Sequence, residues 1–217
     1  MVDCATYSVL VSVFIFILLI YFLTEIHYFI RTLISYSHAM LIKKKHHILD
    51  TATFSSICLT TDVDILLFHM NNARFLRELD FARNDFYNRT YIWQKIRQHG
   101  GQVFQGATMI RYRRFIKLFS RFQIKTKIVY WDHSAIYMEH RFITKADNFV
   151  RAIVYGKQAV VKCNLEEVMA KLMKETANEK STEVRQKPEC PEEIRLWIES
   201  ISASSSKLRA HSNDASV

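Results

Sequence analysis

The sequence predicts an α+β fold set behind an N-terminal transmembrane helix, and an antiparallel sheet wrapped around one long central helix is one of several layouts that fit it. Three observations carry that expectation. Cys4 to Thr24 is an uncharged apolar run. Asn71 to Phe86 repeats its apolar residues with the period of a helix, and from Val103 to Lys162 the period falls to two. A run of strands beside one long helix reads as α+β.

The bulk numbers fit one domain with appendages, at 217 residues. The hydrophobic share is 49%, part of it gathered at the N-terminus. The remainder supports one buried core and is too small for a polytopic membrane protein. With Gly 4 and Pro 2, collagen-like and low-complexity readings fail. A net charge of +9 points to nucleic acid, an anionic membrane surface or a phosphate-rich ligand. Cys4, Cys58, Cys163 and Cys190 form no CxxC pair and no zinc spacing, so no metal is expected. They read as free thiols in a reducing compartment, with one disulfide left open.

Cys4 to Thr24 spans ~31 Å as a helix, close to the hydrocarbon thickness of a bilayer. A signal peptide is the rival, but its apolar core is shorter, follows a basic region and ends in small residues. Here Asp3 is the upstream charge, and bulky Tyr28, Phe29 and Ile30 follow. An uncleaved anchor over residues 1–30 and a basic helical linker over 31–52 are therefore expected. Arg31 and Lys43, Lys44 and Lys45 follow the span, which places the domain on the cytosolic side of a membrane. The lysines form either a solvated linker or a contact with anionic headgroups. The sequon Asn88-Arg89-Thr90 points the other way, toward a lumenal domain, but falls inside a predicted helix. Secretion after cleavage is the alternative.

The domain is expected over residues 53–176. Phe54 to Leu59 is strand-like, and a polar loop with Asp62 and Asp64 follows. Phe75, Leu79, Ala82 and Phe86 mark the long helix, with Asn71 or Asn72 as its N-cap. Ile92, Ile96 and His99 extend a second helical stretch that stops at Gly100-Gly101. Val103 to Phe115 is a long strand. Phe122, Ile124, Thr126, Ile128 and Tyr130 alternate with Gln123, Lys125 and Lys127 in the next. Ser134 to Thr144 carries Ile136, Met138 and Phe142 on one face, and Phe149 to Lys162 is the last strand. Asp132-His133 and Ala146-Asp147-Asn148 make the turns between them. Asn164 caps a helix running to about Thr176. Residues 177–217 hold a polar linker with Pro188 and Pro191, an amphipathic helix from Glu192 to Leu208 with Trp197 and Ile201, and a disordered tail from His211.

One block is more specific than these patterns. Asp62-Val63-Asp64-Ile65-Leu66-Leu67-Phe68-His69-Met70-Asn71-Asn72-Ala73-Arg74-Phe75-Leu76 resembles the D-x-D-x-x-G-H-x-N-N-x-x-Y-L signature of the 4-hydroxybenzoyl-CoA thioesterase-like hotdog family. Trp131 to Phe142 looks like the corresponding hairpin. Together the blocks point to a narrower metazoan group whose members also carry an N-terminal apolar segment. The resemblance runs from roughly Phe54 to Met173 and more weakly into the Trp197 helix. It implies the hotdog fold, pairing into a homodimer, and hydrolysis of acyl-CoA or a related fatty acyl thioester. Coenzyme A would enter as part of the substrate, with no separate cofactor. Two departures stand beside the motif: Phe68 replaces the family's Gly, and the loop between Asp64 and His69 is one residue longer.

Thioester hydrolysis needs a carboxylate and donors for a developing oxyanion. The resemblance assigns the carboxylate to Asp64 and the donors to backbone N–H groups near Asn71 and Asn72. A helix N-terminus suits that task on physical grounds as well. His69 and Asn71 would orient the carbonyl or the water. Each has a plainer reading: Asp62 and Asp64 as Asx-turn residues, Asn71 as only an N-cap, His69 as a half-buried satisfied histidine. Glu78 and Asp80, near Arg74, Arg77 and Arg83, read as helix salt bridges. The basic, aromatic run Arg111-Tyr112-Arg113-Arg114-Phe115 with Lys117 has no nucleic-acid motif beside it. Arg111, Arg113 and Arg114 fit contacts to CoA phosphates, or a solvated strand edge. No nucleophile elbow, P-loop or dinucleotide glycine pattern is present. The expected function is a membrane-anchored acyl-CoA hydrolase. The alternative is a catalytically inactive protein binding acyl chains or lipids at the endoplasmic reticulum.

Overall fold

The structure, a computed structural model, describes residues 3–175 and 185–214 and divides into two units, residues 1–43 and 44–217. The first unit holds α1 (Cys4–Leu23) and α2 (Ile26–Leu41). Asp3 caps α1 by accepting the Thr6 N–H at 2.8 Å. Thr24, in extended backbone (φ −122°, ψ 145°), ends it. Among the described residues no single helix is long and apolar enough to cross a membrane. The stretches Ala5–Tyr21 and Ile26–Leu41, bent by 68°, reach that length and composition together. The anchor–linker boundary expected at 30/31 falls inside α2.

The second unit is built on β1 (Ala52–Ile57), α3 (Asn72–Thr90), α4 (Ile92–Gln98), β2 (Gln102–Tyr112), β3 (Arg121–Trp131), β4 (Ala135–Thr144), β5 (Val150–Val161), α5 (Leu165–Glu175) and α6 (Glu192–Asp214). The five strands form one sheet in the order β1-β3-β4-β5-β2, with each neighbouring pair antiparallel. The long helix α3 lies across it, as the period change predicts. Asn71 is its N-cap, accepting the Ala73 N–H at 2.9 Å. Tyr91, at φ 59°, turns the chain left-handed and separates α3 from α4. Gly100, at φ 74°, ends α4, where a side chain would be strained.

The core forms because α3 turns one apolar stripe onto the sheet. Phe75, Leu79 and Ala82 pack against Phe122 and Ile124 of β3, Phe142 of β4 and Val154 of β5. The Phe75 and Phe142 rings are 4.9 Å apart and those of Phe122 and Phe142 6.0 Å. Burying each such side chain contributes ~1.5–3 kcal/mol. Further along, Phe86 meets Ile128, Ile136 and Met138, with α4 and α5 closing that end through Ile92, Ile96, Leu165 and Leu172. The other sheet face is covered in part by α6: Ala135 and Tyr137 pack on Ile194 and Trp197. Covered on both sides, β4 is buried along nearly its whole length, so apolar residues on one face describe only half of it.

Asp132 holds the β3–β4 turn. Its Oδ1 accepts the Ser134 N–H (2.7 Å), the Ser134 hydroxyl (2.9 Å) and the Ala135 N–H (2.8 Å), and its Oδ2 accepts the Tyr137 hydroxyl (3.0 Å). The C-terminal tail differs from expectation. Helix α6 continues through His211 to Asp214, beyond the point where disorder was predicted. Thr176, most of the polar linker and residues 215–217 lie outside the described residues. Asp80 pairs with Arg83 at i,i+3, as read from the helix, and Asp85 pairs with Arg89 at 3.3 Å.

Candidate functional site

The loop from Leu59 to Asn71 delivers the motif residues to the start of α3. Asp62 is its structural anchor: it is buried, its Oδ2 accepts the Leu59 N–H at 2.9 Å, and its carbonyl accepts the Asn71 N–H at 2.8 Å. A bridge between Val63 and Met70 closes the loop, and His69 bridges to Lys117. Asp64 lies at the bend between, its N–H donating to the His69 carbonyl at 2.9 Å. The left-handed position is Leu67, at φ 54°. The backbone freedom that a Gly before the His would supply is thus taken one residue earlier, by a side chain that tolerates it poorly, at a cost of ~1–2 kcal/mol.

Asp64 and His69 form a pair. The His69 Nδ1–H points at the Met70 carbonyl (3.1 Å), which leaves Nε2 facing the Asp64 Oδ2 at 3.6 Å. The other Asp64 oxygen accepts the Phe68 N–H at 3.3 Å. The His69 ring stacks flat on Phe115, centroids 4.0 Å apart and planes 4° apart. Both side chains remain partly exposed.

Beside this pair a cavity of about 470 Å³ opens at the N-terminus of α3. Asn72, Phe75, Tyr112, Arg113, Arg114 and Lys117 are among its lining residues. The Tyr112 hydroxyl donates to the Asn72 carbonyl at 2.9 Å, and burial raises its pKa. The Ala73 N–H is taken by the Asn71 side chain and the Arg74 N–H by the Asn71 carbonyl. Among the described residues no acceptor meets the Asn72 N–H. One helix N-terminal donor is therefore left at the cavity wall.

The cations divide. Arg113 and Arg114 line the cavity, their guanidinium groups over the Phe149 ring at 4.9 and 4.3 Å. Among the described residues neither meets a carboxylate. Arg151 shares the same ring but is tied to Asp147. Arg111 is elsewhere, beside Met109, Tyr155 and Glu193 in a second, smaller cavity. Strand β2 alternates its side chains, so Arg111 and Tyr112 face opposite sides of the sheet. After Tyr112 the strand ends, the alternation stops, and Arg113 and Arg114 can both reach one cavity.

The structure thus brings Asn72, Arg113 and Arg114 together and pairs Asp64 with His69. Asn71 is occupied as the cap. Asp64 does not line the cavity; it pairs with His69, whose ring stacks on Phe115, and Phe115 lines the cavity. Tyr112, Lys117 and Phe75 belong to the site and were not singled out as site residues from sequence. The basic–aromatic run signalled two of them, but not which way each points. His140, with Thr126 at 2.9 Å, is wholly buried; burial, aided by the Arg83 charge, pushes it down to about 3, so it stands neutral in the core. Asn88 is buried with its amide on the Asn84 carbonyl, closed to glycosylation in the folded domain. Cys58, Cys163 and Cys190 are free thiols, and burial, assisted by Asp62 and Glu78, pushes Cys58 up to about 12.

Known proteins agree with this architecture. Residues 58–198 match the family described as the thioesterase-like superfamily, a match that runs through α5 into α6. Protein THEM6 of Drosophila melanogaster is 45% identical over 193 residues, which cover 89% of this chain and 95% of the relative. Protein THEM6 of Xenopus laevis is 35% identical over 193 residues, 89% of each. Their name agrees with the narrower metazoan group to which the two motif blocks pointed, thioesterase superfamily member six. The 4-hydroxybenzoyl-CoA subgroup is not singled out by these matches. The probable thioesterase YbaW of Escherichia coli shares the fold, with a TM-score of 0.52 and 17% identity over 58% of this chain and 98% of its own.

Proposed function

The chain belongs to the thioesterase-like superfamily, and from that membership we propose that it is a membrane-anchored hotdog protein that hydrolyses a fatty acyl thioester such as acyl-CoA. The cavity at the start of α3 carries this reading. Its volume suits a small-molecule site, it pairs an apolar wall with a free helix N-terminal donor, and unpaired guanidinium groups stand at its rim. In the proposal Arg113 and Arg114 meet the CoA phosphates and the acyl group lies along Phe75. The Asn72 N–H binds the thioester oxygen, most strongly once it bears charge. Asp64 serves as nucleophile or as the base that takes a proton from water. With Asp64 as base, water attacks the carbonyl, and the tetrahedral adduct expels the CoA thiolate, which takes the proton from Asp64 and leaves a carboxylic acid. With Asp64 as nucleophile, the adduct expels the thiolate to leave an acyl–Asp64 anhydride, which water then hydrolyses to the acid. A second copy of the chain completes the site as a homodimer. The bent apolar pair holds the protein on a membrane, with Arg31 and Lys43–Lys45 favouring a cytosolic domain at the endoplasmic reticulum.

One observation favours a second reading. Asp64 is turned toward the Phe68 N–H and His69, and is not among the residues that line the cavity. A protein so arranged binds acyl chains or lipids without cutting them. The experiment is a panel of acyl-CoAs of increasing chain length presented to the full chain in detergent, beside Asp64→Asn. Turnover abolished by Asp64→Asn supports hydrolysis. Tight binding with no turnover supports the second reading, and neither binding nor turnover refutes both.

A further inference from the structure

The tip of the Asp64–His69 loop is apolar and open to solvent. Ile65 is 95% exposed, Leu66 77%, Leu67 66% and Phe68 51%. A soluble loop rarely presents four such residues in succession. Two more exposed aromatics lie alongside. Phe115 meets the Phe68 ring edge-on at 6.3 Å, and Phe119 follows Leu118, whose N–H donates to the Phe68 carbonyl at 3.3 Å. Lys117, between them in sequence, stands over the Phe68 ring at 5.8 Å. Arg113 and Arg114 lie on the adjoining cavity wall. The loop is braced beneath by the Val63–Met70 and His69–Lys117 bridges and by Asp62, so its apolar residues are held outward rather than collapsed.

We propose that this tip inserts into the surface of an anionic lipid bilayer, with Ile65, Leu66 and Phe68 in the acyl boundary and Arg113, Arg114 and Lys117 against the headgroups. Apolar side chains ringed by unpaired cations are what an acidic membrane surface binds. The second copy that completes the cavity in the proposed function fits the loop tip itself less well, because a two-fold contact centred on the tip would bring the same cations close together. Phe115 and Lys117 belong both to the patch and to the cavity wall, so the insertion sets the cavity mouth at the lipid surface. An acyl chain could then pass between bilayer and cavity without crossing water. This contact is separate from the N-terminal apolar helices and does not depend on hydrolysis.

The test uses the full chain reconstituted in vesicles of phosphatidylcholine with about a third phosphatidylserine, carrying the photoreactive residue p-benzoylphenylalanine in place of Leu66. Irradiation followed by mass spectrometry identifies what the tip touches. The expected result is a lipid adduct that falls several-fold in pure phosphatidylcholine vesicles, and likewise when Arg113, Arg114 and Lys117 are all changed to Gln. The same probe at Leu196, exposed on α6, should give little lipid adduct. A protein–protein adduct joining two copies would overturn the proposal in favour of a dimer contact. Equal lipid labelling from positions 66 and 196, or none from 66, would overturn it too.

Discussion

Asp132→Ala tests the turn that sets the two central strands in register. The carboxylate receives two backbone N–H groups, the Ser134 hydroxyl and the hydroxyl of Tyr137, a residue 1% exposed. Burial alone would push its pKa up, but the bonds from Ser134, Tyr137 and Ala135 outweigh burial and hold it below the ordinary aspartate value. A hydrogen bond to a charged group contributes ~1.5–3 kcal/mol taken singly. These bonds share one turn, and the backbone donors can find water after the change. The Tyr137 hydroxyl is the group left without its acceptor, so the expected loss is about 3 kcal/mol. For a domain of this size that is a fall of roughly 6–12 °C in Tm. Asp132→Asn keeps the Oδ1 acceptor and offers Tyr137 an amide instead, so it should cost about 1 kcal/mol or less at neutral pH. A lowered folded pKa contributes stability above the unfolded value of ~3.9, which is lost as pH falls through the folded value. The Tm gap between the parent and Asp132→Asn should therefore shrink as pH falls below about 4. Thermal melts of the full chain in detergent, followed by near-UV circular dichroism, measure both effects. Equal costs for Ala and Asn, or a gap that ignores pH, would show that Asp132 does not hold this turn as a charged acceptor.

Three further outcomes are expected. Phe142→Ala removes the ring between Phe75 and Phe122 and should cost ~3–5 kcal/mol, read as a lower denaturation midpoint in urea. Asn71→Ala deletes the α3 cap and should cost ~1 kcal/mol, seen as a modest Tm loss and faster amide exchange in the first turn of the helix. Arg113→Gln with Arg114→Gln should weaken coenzyme A binding roughly tenfold by calorimetry, whereas Arg111→Gln, across the sheet, should leave it within about twofold.

Much of the fold was legible because burial leaves a period in the sequence. Phe75, Leu79, Ala82 and Phe86 mark α3 by spacing alone, and Asn71 marks its start by its side-chain chemistry. The antiparallel strands were legible for the same reason, and Asp132 and Asp147 announced their turns. The Ser134–Thr144 strand was read as one-sided, since nothing local says that α6 returns to cover Tyr137. The tail resisted because α6 past Leu208 is polar, and a polar helix resembles a solvated tail in composition. At the site, Asp64 and His69 were found through a motif, and their pairing follows from one short loop. The separation of Arg111 from Arg113 and Arg114 was not legible. It depends on β2 ending at Tyr112, and a strand's last residue is a tertiary fact. The stacking of Phe115 on His69 at the cavity wall likewise comes from a segment far away in sequence.

In the proposed function, the cavity at the start of α3 holds an acyl thioester with its oxygen on the Asn72 N–H. The most direct measurement is a crystal structure of the full chain with a hydrolysis-resistant acyl-CoA, its thioester replaced by a ketone. The expected result places the ketone oxygen within hydrogen-bonding distance of the Asn72 nitrogen, the acyl chain against Phe75, and phosphates beside Arg113 and Arg114. An analogue bound in the smaller cavity by Arg111, or with its carbonyl away from the start of α3, would contradict it.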